Sequence, residues 1–338
     1  MSIEAHEIDG ATELQADDVL SSAEAGYARA ARADSTLRGY RSDWREFVSW
    51  CTQHDNLEPM PASAGAISGY LSDLAQAGAK VGTISRRLSA IRFAHQLHNQ
   101  PDPTRNARVV AVWEGIRRTH GAPPDQAAPL MPPELFDVLD ACPTTKVWRT
   151  RNRPAEPDLA GARDRALLLV GFVAALRRSE LAALTVDQVA EHPNGLVLTL
   201  PRSKTNQTGE HTEVVVLPRA GNPARCPVVA LEQWLSIAGV HEGPLLRPVT
   251  KSNTAAARAL NAASINVLVQ QAVARAGLEP ARYSAHSLRA GFVTYAHLRG
   301  ASDRAIAHQT RHRSLATLGG YVRVQQAWTD NAATSLGL

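Results

Sequence analysis

A chain of 338 residues with 44% hydrophobic and 20% charged residues has room for two globular domains, each with its own core. No apolar run approaches membrane-spanning length, and the acidic N-terminus lacks the basic and apolar regions of a signal peptide. Three widely spaced cysteines (Cys51, Cys142, Cys226) suit neither a disulfide framework nor a zinc knuckle, so the expectation is a soluble, cytoplasmic protein with no membrane partner. The net charge of +4 understates the basicity: residues 1–30 hold seven acids against Arg29, which leaves +10 for the rest of the chain. Of the 36 basic residues only Lys80, Lys146, Lys204 and Lys251 are lysine. An arginine-rich body suits bidentate contact with a polyanion.

In chain order, residues 1–28 read as an acidic, poorly ordered tail. A helix opens near Ser35, with Leu37, Tyr40, Trp44, Phe47 and Cys51 on one face and Arg38, Arg41 and Arg45 on another strip. A second fits Ala62–Gln76. A third starts at a cap-like Thr83 and buries Ile84, Leu88 and Ile91, with Arg86, Arg87 and Arg92 outward. A fourth spans about Arg105–Thr119. Four helices with repeated arginine edges make residues 29–120 a small all-α domain whose strips track phosphates. The Gly- and Pro-rich stretch 121–131 then reads as a linker.

The domain 132–338 opens with helices near Pro133–Ala141 and Asp158–Ala175, the latter apolar enough to be buried all round. It runs into Leu176-Arg177-Arg178-Ser179-Glu180. A strand pair follows, Leu196–Leu200 and Glu213–Leu217, joined by a polar loop holding Arg202 and Lys204. Helices resume near Pro227–Ala238, Ser264–Ala276, Ala285–Leu298, Asp303–Gln309 and Ser314–Val324.

The last 53 residues hold His286-Ser-Leu-Arg289, His312 and Tyr321. A tyrosine downstream of two histidines and an arginine at these intervals is a candidate nucleophile with phosphate-binding groups supplied. Phosphodiester exchange builds extra negative charge on the non-bridging oxygens, which fixed cationic donors must meet. The nucleophile must lose a proton and the leaving 5′ oxygen must gain one. The minimum kit is two arginines, a proton donor, a proton acceptor and a nucleophile, and this domain holds a candidate for each.

These residues resemble the tyrosine recombinase (phage integrase) family, with its Xer- and Cre-like site-specific recombinases. Ala-Leu-Arg177-Arg-Ser-Glu180-Leu looks like the family's first arginine box and His286-Ser-Leu-Arg289 like its His-x-x-Arg box. Arg311-His312-Arg-Ser looks like its second histidine and Tyr321 like its nucleophile, nine residues after His312 and 32 after Arg289. Lys204 sits where the family keeps its hairpin lysine. The resemblance covers residues 30–330. It implies a mainly α fold: an all-helical, SAM-like core-binding domain, then an α+β catalytic domain of the DNA breaking-rejoining type with a small β-sheet.

It implies roles as well. Tyr321 attacks the scissile phosphate of a double-stranded DNA target, giving a 3′-phosphotyrosine and a free 5′-hydroxyl. Arg177 and Arg289 hold the non-bridging oxygens, Lys204 protonates the leaving oxygen, His286 accepts the tyrosine proton, His312 hydrogen-bonds the phosphate and Glu180 orients its neighbours. No metal, nucleotide or other cofactor is needed. Arg178 competes with Arg177, but Glu180 falls one helical turn from Arg177 as in the family motif. The DNA-contact set is Arg38, Arg41, Arg45, Arg86, Arg87, Arg92, Arg202 and Arg311. Arg311 stands where the family usually has glycine, a departure that bears on the backbone before His312 rather than on its role. The further expectations are a homotetramer on DNA whose two domains clamp the duplex as a C shape, a C-terminal segment that packs into a neighbouring subunit, and accessory DNA-bending or directionality proteins.

The competing readings are weaker. Type IB topoisomerases share the chemistry but work as monomers without synapsis, and a non-catalytic DNA-binding regulator would not need the complete set. His308 and His312 have the spacing of zinc ligands, but no glutamate lies between them and no third ligand is apparent. His95 and His98 read as ordinary helix residues. Gly319-Gly320 before the tyrosine suggests a mobile segment presenting the nucleophile.

Overall fold

The computed structural model describes residues 32–123, 126–148, 154–200 and 213–311. The chain divides into two compact units, 1–125 and 126–338.

The first unit is all-helical: α1 (Asp34–Gln53), α2 (Ala64–Gln76), α3 (Val81–Leu97) and α4 (Ala107–His120). Their apolar faces meet in a core of Trp44, Phe47, Cys51, Ile67, Tyr70, Leu71, Ile84, Ile91 and Val109. Ser63 caps α2 and Asn106 caps α4 through side-chain oxygens that accept backbone N–H groups. Thr83 is not a cap: α3 begins two residues earlier, after Lys80, because an extended residue there starts the helix without side-chain help.

Polar residues are folded into this core with partners. His95 is fully buried; its Nε2 accepts the Ala62 N–H at 2.9 Å, and its Nδ1 lies 2.8 Å from the Ile91 carbonyl. The second contact needs a proton on Nδ1 and the first needs a bare Nε2, so the ring is neutral. Asp43, 3% exposed, faces Arg86 at 3.1 Å and Arg87 at 4.0 Å, and Arg87 also donates to the Tyr70 hydroxyl at 2.7 Å. The outward strip of α3 is therefore corrected at Arg87, which turns back over Tyr70 to serve a buried carboxylate. Arg92 is exposed but donates to Thr104 and pairs with Asp102. Arg38, Arg41 and Arg45 stand on the exposed side of α1.

The second unit comprises α5 (Glu134–Asp140), a two-residue ladder of β1 (Thr145–Lys146) with β2 (Glu156–Pro157), α6 (Leu159–Val173), α7 (Arg178–Ala183), the antiparallel sheet β3 (Val189–His192), β4 (Gly195–Leu200) and β5 (Glu213–Pro218), then α8 (Pro227–Ala238), α9 (Ala262–Arg275), α10 (His286–Leu298) and α11 (Asp303–Thr310). Strand β4 is central, with Val197 opposite Ala190 on one side and Val216 on the other. The third strand and the short α7 go beyond the sequence expectation, since four to six residues carry too little periodicity to read.

Helix α6 runs through the middle of the core, as its apolar composition requires, yet it also buries Arg163 and Asp164. Asp164 accepts from Arg163 at 2.6 Å and from Arg275 of α9 at 2.7 Å, so one carboxylate pins α6 to α9. Residues 128–131 were expected as linker and instead belong to this unit. The Ala128 and Leu130 N–H groups donate to the carbonyls of Arg282 and Ser287, and Leu130 is fully buried. The approach depends on Gly291 of α10, where a Cβ would lie 2.0 Å from the Leu130 carbonyl oxygen. No helix among the described residues is long and apolar enough to cross a membrane.

The His95 geometry makes the first unit sensitive to acid. Desolvation lowers the His95 pKa from its ordinary 6.5, so the unfolded chain binds a proton there that the folded chain resists. This contribution is complete above about pH 6.5 and is lost as the pH falls below it. Thermal unfolding from pH 7.5 down to 5 is expected to show a fall in Tm that His95→Gln reduces; an equal fall in both proteins would refute the assignment.

Candidate active site

Three segments far apart in sequence build the site. The first is the turn after α6. Ala174, Ala175 and Leu176 are buried there, and Ala175 takes a left-handed conformation (φ 48°) that reverses the chain and brings Arg177 to the start of α7. Glu180 then reaches back one turn. Its Oε2 accepts the Arg177 backbone N–H at 2.9 Å, and its Oε1 accepts the Arg177 guanidinium at 2.6 Å. Arg177 is 19% exposed at the side chain, whereas Arg178 points into solvent.

The second segment is the start of α10, which α9 anchors. The Asn266 side chain accepts the Ala285 N–H, and Gln270 donates to the Tyr283 carbonyl. This places His286 on the exposed first turn and Arg289 inside. Arg289 is 2% exposed and donates to two backbone carbonyls at 2.6 Å, those of Ala175 and Thr310. One guanidinium thus fastens the first segment to the third.

The third segment is the end of α11. Gln309 donates to the Val173 carbonyl of α6 and the Val216 carbonyl of β5. Arg311 ends the helix in the left-handed region (φ 56°). Its guanidinium donates to Glu180 Oε2 at 2.6 Å and lies 3.2 Å from Glu213. Side-chain exposure is 6% for Arg311 and 3% for Glu180. Burial pulls the Arg311 guanidinium below its ordinary pKa, while Glu180 and Glu213 oppose that shift. Arg177, Glu180, Arg311 and Glu213 therefore form a row of alternating charge.

His286 looks onto this row. Its pKa is lowered from 6.5, first by desolvation and then by the charges of Arg289 and Arg177, which keeps the imidazole neutral at pH 7. A group of two arginines and a neutral imidazole can bind an anion and accept a proton beside it.

Of the residues singled out in the sequence, the structure brings Arg177, Glu180, His286 and Arg289 together. Arg311 is a correction to an outward-facing arginine: its side chain is held inside the domain by the buried Glu180 and the half-buried Glu213. Lys204, Arg202, His312 and Tyr321 lie outside the described residues, as do the expected helix Ser314–Val324, the C-terminal segment and the acidic tail. Sequence reasoning missed the structural work of Gln309 and Glu213. It also missed the carbonyls of Ala175 and Thr310, which carry no side-chain signature. The arginine at the glycine-like position 311 was the one visible sign.

Comparison with known proteins agrees with this geometry. The sequence pattern described as "Phage integrase family" matches residues 148–327, and "Phage integrase, N-terminal SAM-like domain" matches residues 27–98. An integrase/recombinase xerD homolog of Selenomonas ruminantium is 33% identical over 304 residues, covering 89% of this chain and 85% of the relative. A tyrosine recombinase XerC of Brucella melitensis is 26% identical over 297 residues, covering 86% and 85%. Among solved structures, XerH site-specific recombinase bound to palindromic difH substrate superposes with a TM-score of 0.60 at 17% identity, covering 90% of this chain and 81% of that one. A lambda integrase (75–356) dimer bound to a COC′ core site gives 0.57 at 13%, covering 87% and 90%. A helical SAM-like domain followed by this arginine-lined site defines a tyrosine recombinase, an enzyme that cuts and rejoins DNA. The chain belongs to the phage integrase family.

Removing one member of a buried charge row leaves another uncompensated. Glu180→Ala takes from Arg311 its closest carboxylate and from Arg177 its backbone cap, so it is expected to destabilise the second unit by about 3 kcal/mol. Glu180→Gln, which keeps an acceptor, should cost less. Urea unfolding checks both, and a loss under about 1 kcal/mol for Glu180→Ala would count against the row.

Proposed function

We propose that this chain is a site-specific recombinase that exchanges DNA strands through a 3′-phosphotyrosine formed on Tyr321, for integration, excision or resolution of DNA. The observation that carries the reading is the meeting of Arg177, Arg289 and His286 at one place, with Glu180 buried behind Arg177. The Tyr321 oxygen attacks the scissile phosphorus, and the bond from phosphorus to the 5′ oxygen breaks. Arg177 and Arg289 hold the non-bridging oxygens as charge builds on them. His286, neutral at working pH, takes the phenol proton; Lys204 gives one to the departing 5′ oxygen; His312 hydrogen-bonds the phosphate. Free phenol titrates near pH 10, so two arginines and an imidazole beside the phosphate are what make its deprotonation accessible.

The phosphotyrosine retains the energy of the broken ester, and attack by another strand's 5′-hydroxyl restores DNA without metal or nucleotide. The working form is a homotetramer on two duplex sites in the cytoplasm, with the arginines of α1 and α3 supplying phosphate contacts and accessory bending or directionality proteins able to act on it. Two solved structures of similar fold, XerH and lambda integrase, are bound to DNA sites, which supports duplex DNA as the partner.

A nicked suicide duplex tests the nucleophile. Wild type is expected to form a covalent protein–DNA band and Tyr321→Phe none; a band in both, or in neither across many candidate sites, would sink the assignment. Plasmid relaxation without joined product would point to a topoisomerase instead. The base is tested by pH. At sub-saturating DNA the cleavage rate should hold steady from neutrality down to about pH 6.5 and fall below it as the imidazole gains a proton. His286→Gln should lower the plateau and remove that limb. A limb centred above pH 6.5 that survives in His286→Gln assigns the base elsewhere.

A further inference from the structure

Arg311 occupies a backbone conformation that glycine adopts without penalty and an arginine does not. A glycine there would end α11 more easily, so the side chain must supply something the turn does not need. What it supplies is charge. Glu180 is buried; its Oε1 accepts from the Arg177 guanidinium, and its Oε2 accepts both the Arg177 backbone N–H and the Arg311 guanidinium. Glu213 at the head of β5 holds the far edge of the Arg311 guanidinium.

Without Arg311, the whole negative charge of Glu180 would face Arg177, weakening the field that Arg177 can present to a phosphate. With Arg311 in place the charge of the carboxylate is shared between two guanidiniums. We infer that Arg311 is a positioning residue for strand cleavage: acting through Glu180, it orients Arg177 and preserves that arginine's charge for the scissile phosphate. This rests on the recombinase reading above. It assigns Arg311 no contact with DNA.

The test uses the full chain and a nicked suicide duplex carrying a site recovered by sequencing DNA trapped on the wild-type protein. Arg311→Gly keeps, and eases, the left-handed turn while deleting the guanidinium. It is expected to form the covalent adduct roughly tenfold more slowly than wild type, or slower still, while binding the same duplex within about threefold in a gel shift. Because Arg311 acts through Glu180, Arg311→Gly combined with Glu180→Gln should be no slower than Glu180→Gln alone. Arg311→Lys, which keeps a cation between the carboxylates, should recover part of the rate, and it replaces the glycine variant should that one lack a cooperative melt.

Adduct formation by Arg311→Gly at the wild-type rate would overturn the inference, leaving only a turn. Loss of adduct in proportion to lost duplex affinity would overturn it too, by making Arg311 a DNA contact. So would additive effects in the double variant, or a lysine variant as slow as glycine while melting like wild type. Absence of adduct from the wild type itself would instead remove the recombinase reading on which the inference stands.

Discussion

Taking a carboxylate out of water costs several kcal/mol unless cationic donors surround it. Glu180 is placed where that cost can be met only by bringing two distant parts of the chain together: Arg177, three residues before it, and Arg311, 131 residues after it. The rest of the site follows from that demand. Helix α7 must begin at Arg177 so that the carboxylate can cap it, α11 must end where its last residue can turn inward, and β5 must start with a second carboxylate for the guanidinium to share. A short helix with little intrinsic stability is thereby made rigid at the end that carries Arg177.

Arg289 does the complementary work on the main chain. Its two bonds to the Ala175 and Thr310 carbonyls tie the same two segments that Glu180 ties, from the opposite side. Ala175 and Arg311 both sit in the left-handed region, a conformation that costs an L-residue about 1 kcal/mol. Two such residues flanking one site, each next to a group that binds its turn, show local strain held in place by the contacts around it. Behind them, Asp164 locks α6 to α9, the helix whose Asn266 and Gln270 set the start of α10. The arginine box and the His-x-x-Arg box are therefore mounted on helices that cannot slide past each other.

Much of this was legible in the sequence because its signals are local. The periodic apolar faces of the long helices and the one-turn step from Arg177 to Glu180 are read within a few residues. The outward reading of Arg87 and Arg311 fails for a common reason: an arginine on or beside a helix reads as exposed unless a buried carboxylate elsewhere in the chain claims it, and neither Asp43 nor Glu180 announces its burial. The carbonyls that receive Arg289 belong to an alanine and a threonine with no distinguishing chemistry. The strand β3 and the helix α7 are too short for periodicity to show them. What remained hidden was long-range pairing, not element type.

The two arginines differ in how they can be lost over generations. Arg177 depends on a carboxylate, and one codon change at position 180 can delete it. Arg289 depends on main-chain oxygens, which every amino acid carries, so replacing Ala175 or Thr310 leaves its acceptors in place provided the turn is kept. Drift can therefore reach Arg177 through a neighbour, while Arg289 is sheltered from substitution at the residues that receive its bonds.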